Sequence, residues 1–591
     1  LIKHMNEHNI KRYNLNEQKK LTSCQMLYVI AHSKIWLLFA CLLSIWRILL
    51  TYNLPISALS TSIHDDALMA DMAVKLLSGN WLGEYSQFTM PKGIVYPLYL
   101  VFVHKSGISY LLITQLLYML GAFLSVLAIH KKENGFVLDF LIYGILIFNP
   151  LMSSLNVYTR IYRNVLVPIE VLFVFAGILG MFMRLEQKNS KLIFWAFLSG
   201  AGVLTLNMTR EDSIWIMPFL IVASIVFLVM VIIKRPKGYP VKVCLIALPF
   251  LMLILGNQIV KTINHNYYGI LACTDTNATH FTDAIKAMYS VEDAEDIPMV
   301  SVSRQKMEKL YANSPTLASV RENVDASLDA WADAEDNNVT DAHFFWAVRD
   351  GLAMAGLYRD AVETDEFYHK IANELNTAMD EGRLEKRTVM PSALMSPWRK
   401  GYFGRLMDAY GLSYRFVSSF YSCETVVTES VDNGKGGIRL FEDLTNDKAV
   451  YPGQTPDVDE KIIKKQDFLN NVYGLYSRVN QIVLACSLIL FAGFTLALIF
   501  RKSFRDANWK LWLSALGALL SAFVLVSGVA YTHISAYPAI SASYLAGVYP
   551  LMLLFEGMIL YMLHGVICDN VFCWKTNVDN ALSVIDMDIK R

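Results

Sequence analysis

Long apolar runs alternate with short polar connections along most of this chain. A helix needs roughly 17 to 25 apolar residues to cross the hydrocarbon of a bilayer. Ten runs reach that length, at 34–52, 109–130, 136–153, 164–184, 191–207, 213–234, 240–260, 477–500, 509–531 and 540–563. A further run at 91–107 is shorter and contains Pro97, so we place it outside the membrane. The pattern predicts an α-helical polytopic membrane protein of about ten spans.

One long polar stretch, 262–476, interrupts this pattern. Segments such as "DEFYHKIANELNTAMDEG" repeat apolar residues at three- and four-residue spacing, which predicts a large insertion that is mainly α-helical. A short β element around "GIRLFEDL" is an alternative reading of one segment. The expected division is a segment 1–33, a membrane core 34–261 with a first outer loop 53–108, the domain 262–476, spans within 477–563, and a tail 564–591.

Lysine and arginine predict the orientation. If 91–107 does not cross, the basic clusters of the termini and of all the short basic connections fall on one side. The positive-inside rule then places both termini in the cytoplasm and the domain 262–476 outside a cell (plasma) membrane.

The composition restricts both the class of protein and its expected partners. The chain has 591 residues, of which 54% are hydrophobic and 18% charged, and its mean hydropathy is +0.36. A soluble core could not bury so much apolar surface. The formal net charge is zero and no basic tract carries interleaved aromatic residues, so we expect no nucleic-acid partner. We expect membrane lipids as partners.

Of eight cysteines, only Cys273 and Cys423 map to the outer domain. Two thiols in an oxidising compartment predict a disulfide, with two free buried thiols as the alternative. No cysteine and histidine spacing is typical of zinc, and we predict no metal.

Candidate chemistry begins at His64, Asp65 and Asp66, just before an amphipathic helix predicted at 67–77. One of the two carboxylates could simply cap that helix, but this does not account for both. The other could act as a general base on a substrate at the membrane surface.

Such a substrate would carry phosphate, and four outer cations could bind it: Lys92, Arg160, Arg163 and Arg210. The alternative for each is a side chain that reaches the lipid headgroups. Further candidate substrate contacts are Glu211, His533 and Tyr537, although an aromatic belt also accounts for a tyrosine at that depth. Glu211 and Asp212 could instead cap the next span and pair with Arg210.

The order of "DD", "LLSGNWLG" and "PKGIVYPLYL" after a first span, with a late "SYLAGVYPLMLLF", resembles the GT-C superfamily of polyprenyl-phosphate-sugar-dependent glycosyltransferases, in its protein O-mannosyltransferase and aminoarabinose-transferase branch. The resemblance implies a GT-C-type transmembrane core and transfer of a sugar from a polyprenyl-phosphate donor, with inversion, on the outer face. It implies Asp65 as the base, Asp66 as a cap or orienting partner, and the arginines as stabilisers of the leaving phosphate, without a cofactor. The acceptor, whether glycan, lipid or protein, stays open.

Two other classes stay open. A transporter or flippase for a lipid-linked saccharide would need polar or broken helices at mid-membrane, where Glu170 and Glu556 are the main ionisable residues. A non-enzymatic membrane-anchored binding protein would need far fewer spans.

Overall fold

The structure is a computed structural model. It describes residues 36–130, 136–292, 297–334, 337–387, 396–434, 436–454 and 459–589, with side chains up to 568. The segment 1–33 and Lys131 and Lys132 lie outside the described residues. Within these ranges the chain is almost entirely helical, and β pairing is limited to isolated bridges.

The helices follow one another in the order α1 (Trp36–Thr51), α2 (Asp66–Leu77), α3 (Val95–Ser106), α4 (Tyr110–Ile129), α5 (Phe136–Ile147), α6 (Leu166–Met183), α7 (Asn189–Thr209), α8 (Met217–Lys234), α9 (Tyr239–Tyr268), α10 (Asp275–Ala278), α11 (His280–Ser290), α12 (Arg304–Asn313), α13 (Pro315–Ala318), α14 (Arg321–Trp331), α15 (Asp341–Met354), α16 (Ala361–Asp380), α17 (Tyr402–Ser419), α18 (Gly437–Thr445), α19 (Glu460–Phe500), α20 (Lys502–Ser535) and α21 (Val548–Ile589). Short 3₁₀ or π turns occupy Pro150–Ser153, Leu155–Thr159, Arg163–Val165 and Ser213–Ile216.

Eight of the described helices are long and apolar enough to cross a membrane, and α1 and α5 are shorter apolar helices. Each of the ten predicted runs overlaps one of these ten helices. The run at 91–107 forms α3, whose 12 residues are too few to span a bilayer. The last span begins at Val548 and not at 540, because residues 536–547 form bends and turns.

Two predicted boundaries fall inside helices. The 30-residue helix α9 continues past 261 to Tyr268, and the 41-residue helix α19 begins at Glu460, well before 477. Each helix is longer than its apolar run, because the helical backbone continues into polar residues beyond the run.

Helix α6 lies at the centre of the membrane bundle. It is apolar on all sides and 94% of its span is buried, which is the expected position for a helix without a polar face. It packs mainly against α4 and α7, with α21 on a further side.

The insertion contributes two different parts. Helices α11 to α16 enclose a separate hydrophobic core that includes Ile285, Leu310 and Leu352. Helices α17 and α18 instead join the core of the membrane bundle. The β alternative for "GIRLFEDL" is wrong: this segment is α18, which buries Ile438 and Phe441 at helical spacing.

Candidate functional site

Helix ends and the connections between them meet at one end of the bundle, which we call the site face. Helices α6, α8 and α21 begin there, and α7 and α20 end there. An extended segment joins two of the connections, since the Ser57 amide donates to the Thr159 carbonyl (2.9 Å) and the Val431 amide donates to the Ala58 carbonyl (2.8 Å). These bonds hold the start of α2 against the connection that precedes α6.

Asp65 stands at the N-cap position of α2, but its side chain does not cap the helix. Its Oδ1 accepts hydrogen bonds from Lys92 Nζ and from the Tyr162 hydroxyl, the latter at 2.8 Å. Oδ2 has no hydrogen-bond partner among the described residues, and the side chain is 49% exposed. Burial by itself would raise the pKa of Asp65. Lys92, Tyr162 and Arg163 together have the larger effect in the opposite direction, and they lower the pKa to about 2. This carboxylate is therefore ionised at neutral pH.

Asp66 lies in a different environment although it is the next residue. It is the first residue of α2, fully buried, and it accepts two hydrogen bonds from Arg160, at 2.9 Å from Nε and 2.6 Å from Nη2. Arg160 follows the turn Leu155–Thr159 with an extended backbone, whereas Arg163 begins a separate 3₁₀ turn. The two arginines therefore do not share a helical face, and Arg160 is occupied by a buried carboxylate.

Lys92 is buried and reaches the site because of the glycine that follows it. A Cβ at Gly93 would lie 1.9 Å from the carbonyl oxygen of Met208, so only glycine allows this close approach to the end of α7. The Gly93 amide donates to Glu211 Oε1. The "PKG" sequence thus places the Lys92 ammonium between Asp65 and Tyr162, with its Nζ 3.1 Å from the Tyr162 hydroxyl.

Arg163 is also buried, at 8% exposure, and it is only partly satisfied. Its Nη1 donates to both carboxylate oxygens of Glu211, at 2.8 and 2.7 Å, and to the Thr209 carbonyl at 3.1 Å. Its Nε has no partner among the described residues. A buried guanidinium N–H without an acceptor is unfavourable, and an anion that reached it would satisfy it.

Arg210 makes a bidentate ion pair with Asp212, at 2.8 and 2.5 Å, and donates to Asn164 Oδ1 at 2.6 Å. Burial and Arg210 act in opposite directions on Asp212, and the net effect lowers its pKa to about 2. The pairing expected between Arg210 and Asp212 is confirmed. Glu211 instead pairs with Arg163, and Asp212 makes no side-chain cap to the turn after it.

Tyr162 connects these groups, and our sequence reasoning missed it. The Lys92 ammonium lies 5.2 Å from the centre of its ring, and the guanidinium carbons of Arg160 and Arg163 lie at 4.9 and 5.7 Å. The available signal was its position within "RIYR", between two of the singled-out arginines.

His64 contacts the insertion and not the arginine cluster. Its ring centre lies 4.9 Å from Trp331 and 4.7 Å from Trp346, and its Nε2 lies 3.3 Å from an oxygen of Asp350. Helix α15 thus covers the start of α2.

Four other predicted residues lie in separate places. His533 accepts a hydrogen bond from the Ile540 amide (3.2 Å) and Tyr537 packs against Tyr544, a ring that also contacts Arg210. The predicted disulfide is wrong in this structure: both thiols are free. Cys273 Sγ donates to the Asn257 carbonyl at 3.4 Å, whereas Cys423 is buried beside the Tyr549 hydroxyl. The two thiols therefore contact different residues.

The described residues contain no group of three or more histidine, cysteine or acidic side chains placed to hold a metal ion. What the site face does contain is four cations, each paired with one carboxylate: Lys92 with Asp65, Arg160 with Asp66, Arg163 with Glu211 and Arg210 with Asp212. The charges balance, so any ligand must use the few polar atoms that these pairs leave free.

The long apolar helices decide the class of protein. The chain is an α-helical polytopic membrane protein. No protein-family model matches its sequence, and no curated protein matches it significantly. The crystal structure of ArnT from Cupriavidus metallidurans in the apo state is similar over 90% of this chain and 78% of that chain, with 11% identity and a TM-score of 0.29. The function is therefore argued from the geometry of the site face.

Proposed function

We propose that this protein is a membrane glycosyltransferase that moves a sugar from a polyprenyl-phosphate donor to an acceptor hydroxyl at the site face. The observation that carries the proposal is that two polar groups around Tyr162, one acceptor and one donor, lack hydrogen-bond partners. Asp65 offers an unpartnered carboxylate oxygen, and Arg163 offers an unpartnered, buried N–H. A base beside an anion-binding group is what transfer from a phosphate leaving group requires.

The reaction balances on these groups. The acceptor oxygen forms a bond to the anomeric carbon as the bond from that carbon to the phosphate oxygen breaks. The acceptor proton passes to Asp65 Oδ2, and the polyprenyl phosphate leaves with the bonding electron pair. Arg163 and Arg210 would stabilise the charge that develops on this phosphate, and attack opposite the leaving group gives inversion.

A lipid donor also needs space for its chain. An apolar pocket lies between α6, α8, α9 and α20, lined by side chains such as Phe219, Val222, Ile246 and Leu520. The lining residues of α6 and α20, such as Phe182 and Leu513, lie toward the end of the bundle opposite the site face, so an isoprenoid chain in this pocket would extend deep into the bundle. Density for an isoprenoid phosphate beside Arg163 and Arg210 would be the most direct structural support.

The orientation is part of the proposal. Arg184, Lys188, Lys234 and Lys242 lie at the end of the bundle opposite the site face. By the positive-inside rule that end is cytoplasmic, which places Asp65 and the insertion outside.

The two alternatives predict different features. The described spans have no break at mid-membrane of the kind that transporters use: α6 continues through Glu170, and Glu170 accepts a hydrogen bond from Thr209 Oγ1 at 2.6 Å. A binding protein has no need for a free base beside an anion site.

The test is an assay of the full chain in proteoliposomes with a radiolabelled polyprenyl-phosphate sugar. Label that appears on an acceptor or as free sugar supports transfer. Labelled lipid that only changes leaflet would establish a flippase, and the absence of both would favour a binding protein.

A further inference from the structure

Aromatic rings of the insertion lie directly beside the start of α2. We call the group formed by His64, Phe88, Trp331, His343 and Trp346 the aromatic shelf. The His64 ring centre lies 5.3 Å from Phe88, 4.9 Å from Trp331 and 4.7 Å from Trp346. The His343 and Trp331 ring centres are 5.3 Å apart. The shelf therefore joins the first loop to α14 and α15.

A buried ion pair fixes the shelf in place. Arg349, one helical turn along α15, is fully buried and donates to Asp275 Oδ2 at 2.7 Å. The same guanidinium donates twice to the carbonyl of Gln87, which is the residue before Phe88. Because Arg349 connects α15 to the first loop, it fixes the positions of Trp346 and Asp350 relative to His64.

Two members of the shelf are accessible to a ligand. His343 is exposed and Trp331 is partly exposed, whereas Trp346 is buried behind them and lies 5.9 Å from the Lys92 ammonium. Burial lowers the pKa of His343, and the Asp65 carboxylate opposes that effect, so the two groups are electrostatic neighbours. A ligand on Trp331 and His343 would thus lie within reach of the free Oδ2 of Asp65.

The charges here differ from those around Arg163. Two carboxylates, Asp65 and Asp350, border the shelf, and Asp350 Oδ1 has no partner among the described residues. The nearby cations Lys92 and Arg349 are buried and already paired with carboxylates. An anionic ligand would be repelled, whereas an uncharged ligand with many hydroxyls would find acceptors in the half-exposed Asp65 carboxylate and the exposed His343 imidazole.

We propose that the aromatic shelf is the acceptor subsite, and that it binds the ring of an uncharged saccharide whose hydroxyl attacks the donor. One face of a sugar ring carries C–H groups, which bury well against an indole, and its edge carries the hydroxyls. This inference rests on the proposed glycosyl transfer and adds to it the class of acceptor. It also gives the insertion a role, which is to supply half of the acceptor site.

The test measures binding without any donor. The purified full chain is titrated by calorimetry with maltotriose, mannotriose and chitotriose as neutral probes, and with trigalacturonate as an anionic probe. We expect at least one neutral trisaccharide to bind and trigalacturonate to bind more weakly. Trp331→Leu and His343→Ala should each raise the dissociation constant at least about tenfold.

Trp398→Leu is the matched control, because Trp398 is an exposed tryptophan of the insertion that stacks on Tyr531, outside the shelf. Its binding should equal that of the wild type. Since His343 is exposed, His343→Ala keeps the test valid even if Trp331→Leu fails to fold. The proposal is overturned if no neutral trisaccharide binds, if both variants bind like the wild type, or if trigalacturonate binds best.

A second measurement separates this inference from the proposed function. Hydrolysis of the donor by water uses the arginines and Asp65 but needs no acceptor, so it can be measured in the wild type and in the control Trp398→Leu, and the two rates should be equal. A wild type that binds trisaccharides but never turns over donor would refute the transferase and leave the subsite standing. Normal donor hydrolysis without trisaccharide binding would refute the subsite alone.

Discussion

The site face has two ends that look alike in composition but differ in which atoms they leave free. The acid end consists of Asp65, Lys92 and Tyr162, and the arginine end consists of Arg163 and Arg210 with their acidic partners Glu211 and Asp212. Both ends pair every cation with a carboxylate. At the acid end the free atom is a half-exposed carboxylate oxygen, whereas at the arginine end it is a buried guanidinium N–H.

Counting charges therefore does not locate a substrate-binding site. Four cations near one interface suggested a single anion clamp, but one of them, Arg160, is paired through Nε and Nη2 with buried Asp66. Ion pairs cancel one another, and the unpaired donors and acceptors decide what can bind. Under the proposed function, proton transfer belongs to the acid end and phosphate binding to the arginine end.

Removing the base should have the largest effect. Asp65→Asn keeps the shape of the side chain but cannot take a proton at neutral pH. We expect transfer to fall by about 10²- to 10⁴-fold, the usual contribution of a general base. The measurement is the rate of sugar transfer in proteoliposomes.

Two neighbours serve as controls for Asp65→Asn. Asp71→Asn changes an exposed carboxylate of the same helix that pairs with Lys75, and its rate should stay at the wild-type level. Asp66→Asn should instead lower stability, by about 3 to 5 kcal/mol, because it leaves Arg160 without its buried partner. Near-normal turnover of Asp65→Asn would remove the acid end from the mechanism.

The arginine end is tested by Arg163→Lys. A lysine can keep the ion pair with Glu211 but loses the Nε donor and the planar fork. We expect the rate to fall by about 10²- to 10³-fold, as for the loss of one preorganised donor, with little change in thermal stability.

Arg184→Lys provides the same substitution at the opposite end of the bundle. Arg184 donates to the carbonyls of Leu127 and Ala128, far from the site face, so transfer by this variant should not change. Equal activity of Arg163→Lys and Arg184→Lys would mean that the arginine end does not bind the phosphate.

The helices of the membrane bundle could be predicted from the sequence, because a long apolar run is decided by local composition. The ends of α9 and α19 could not, since their polar turns are stabilised by contacts with the first loop and the insertion. One such contact is Asn264 of α9, which accepts a hydrogen bond from the Trp81 indole at 2.8 Å. The helix α18 was also ambiguous, because nine residues are too few for period alone to distinguish a helix from a strand.

For the site, the sequence identified the charged residues but not their pairing. Asp65 and Asp66 are neighbours in the chain, yet the first turn of α2 directs one to Lys92 and the other to Arg160. Those contacts depend on three separate connections meeting, and no local pattern encodes this. The same holds for Cys273 and Cys423. They are the two cysteines that map to the outer domain, which predicted a disulfide that the fold does not form.

The smallest effect is expected from Lys92→Met, which alters the acid end without removing its base. In the wild type the pKa of Asp65 is about 2, below the ordinary 3.8, so the ionised base is lost only as the pH falls through about 2. Methionine keeps the length of the buried side chain but not its charge. Burial then dominates, the pKa of Asp65 rises, and the acid limb of kcat/KM moves to higher pH while the rate at neutral pH changes least. Profiles measured from pH 4 to 8 check this, with Lys75→Met in the exposed pair of α2 as the control. Superimposable profiles for Lys92→Met and the wild type would show that Lys92 does not set the charge of Asp65, and the two ends of the site would then not be electrostatically distinct.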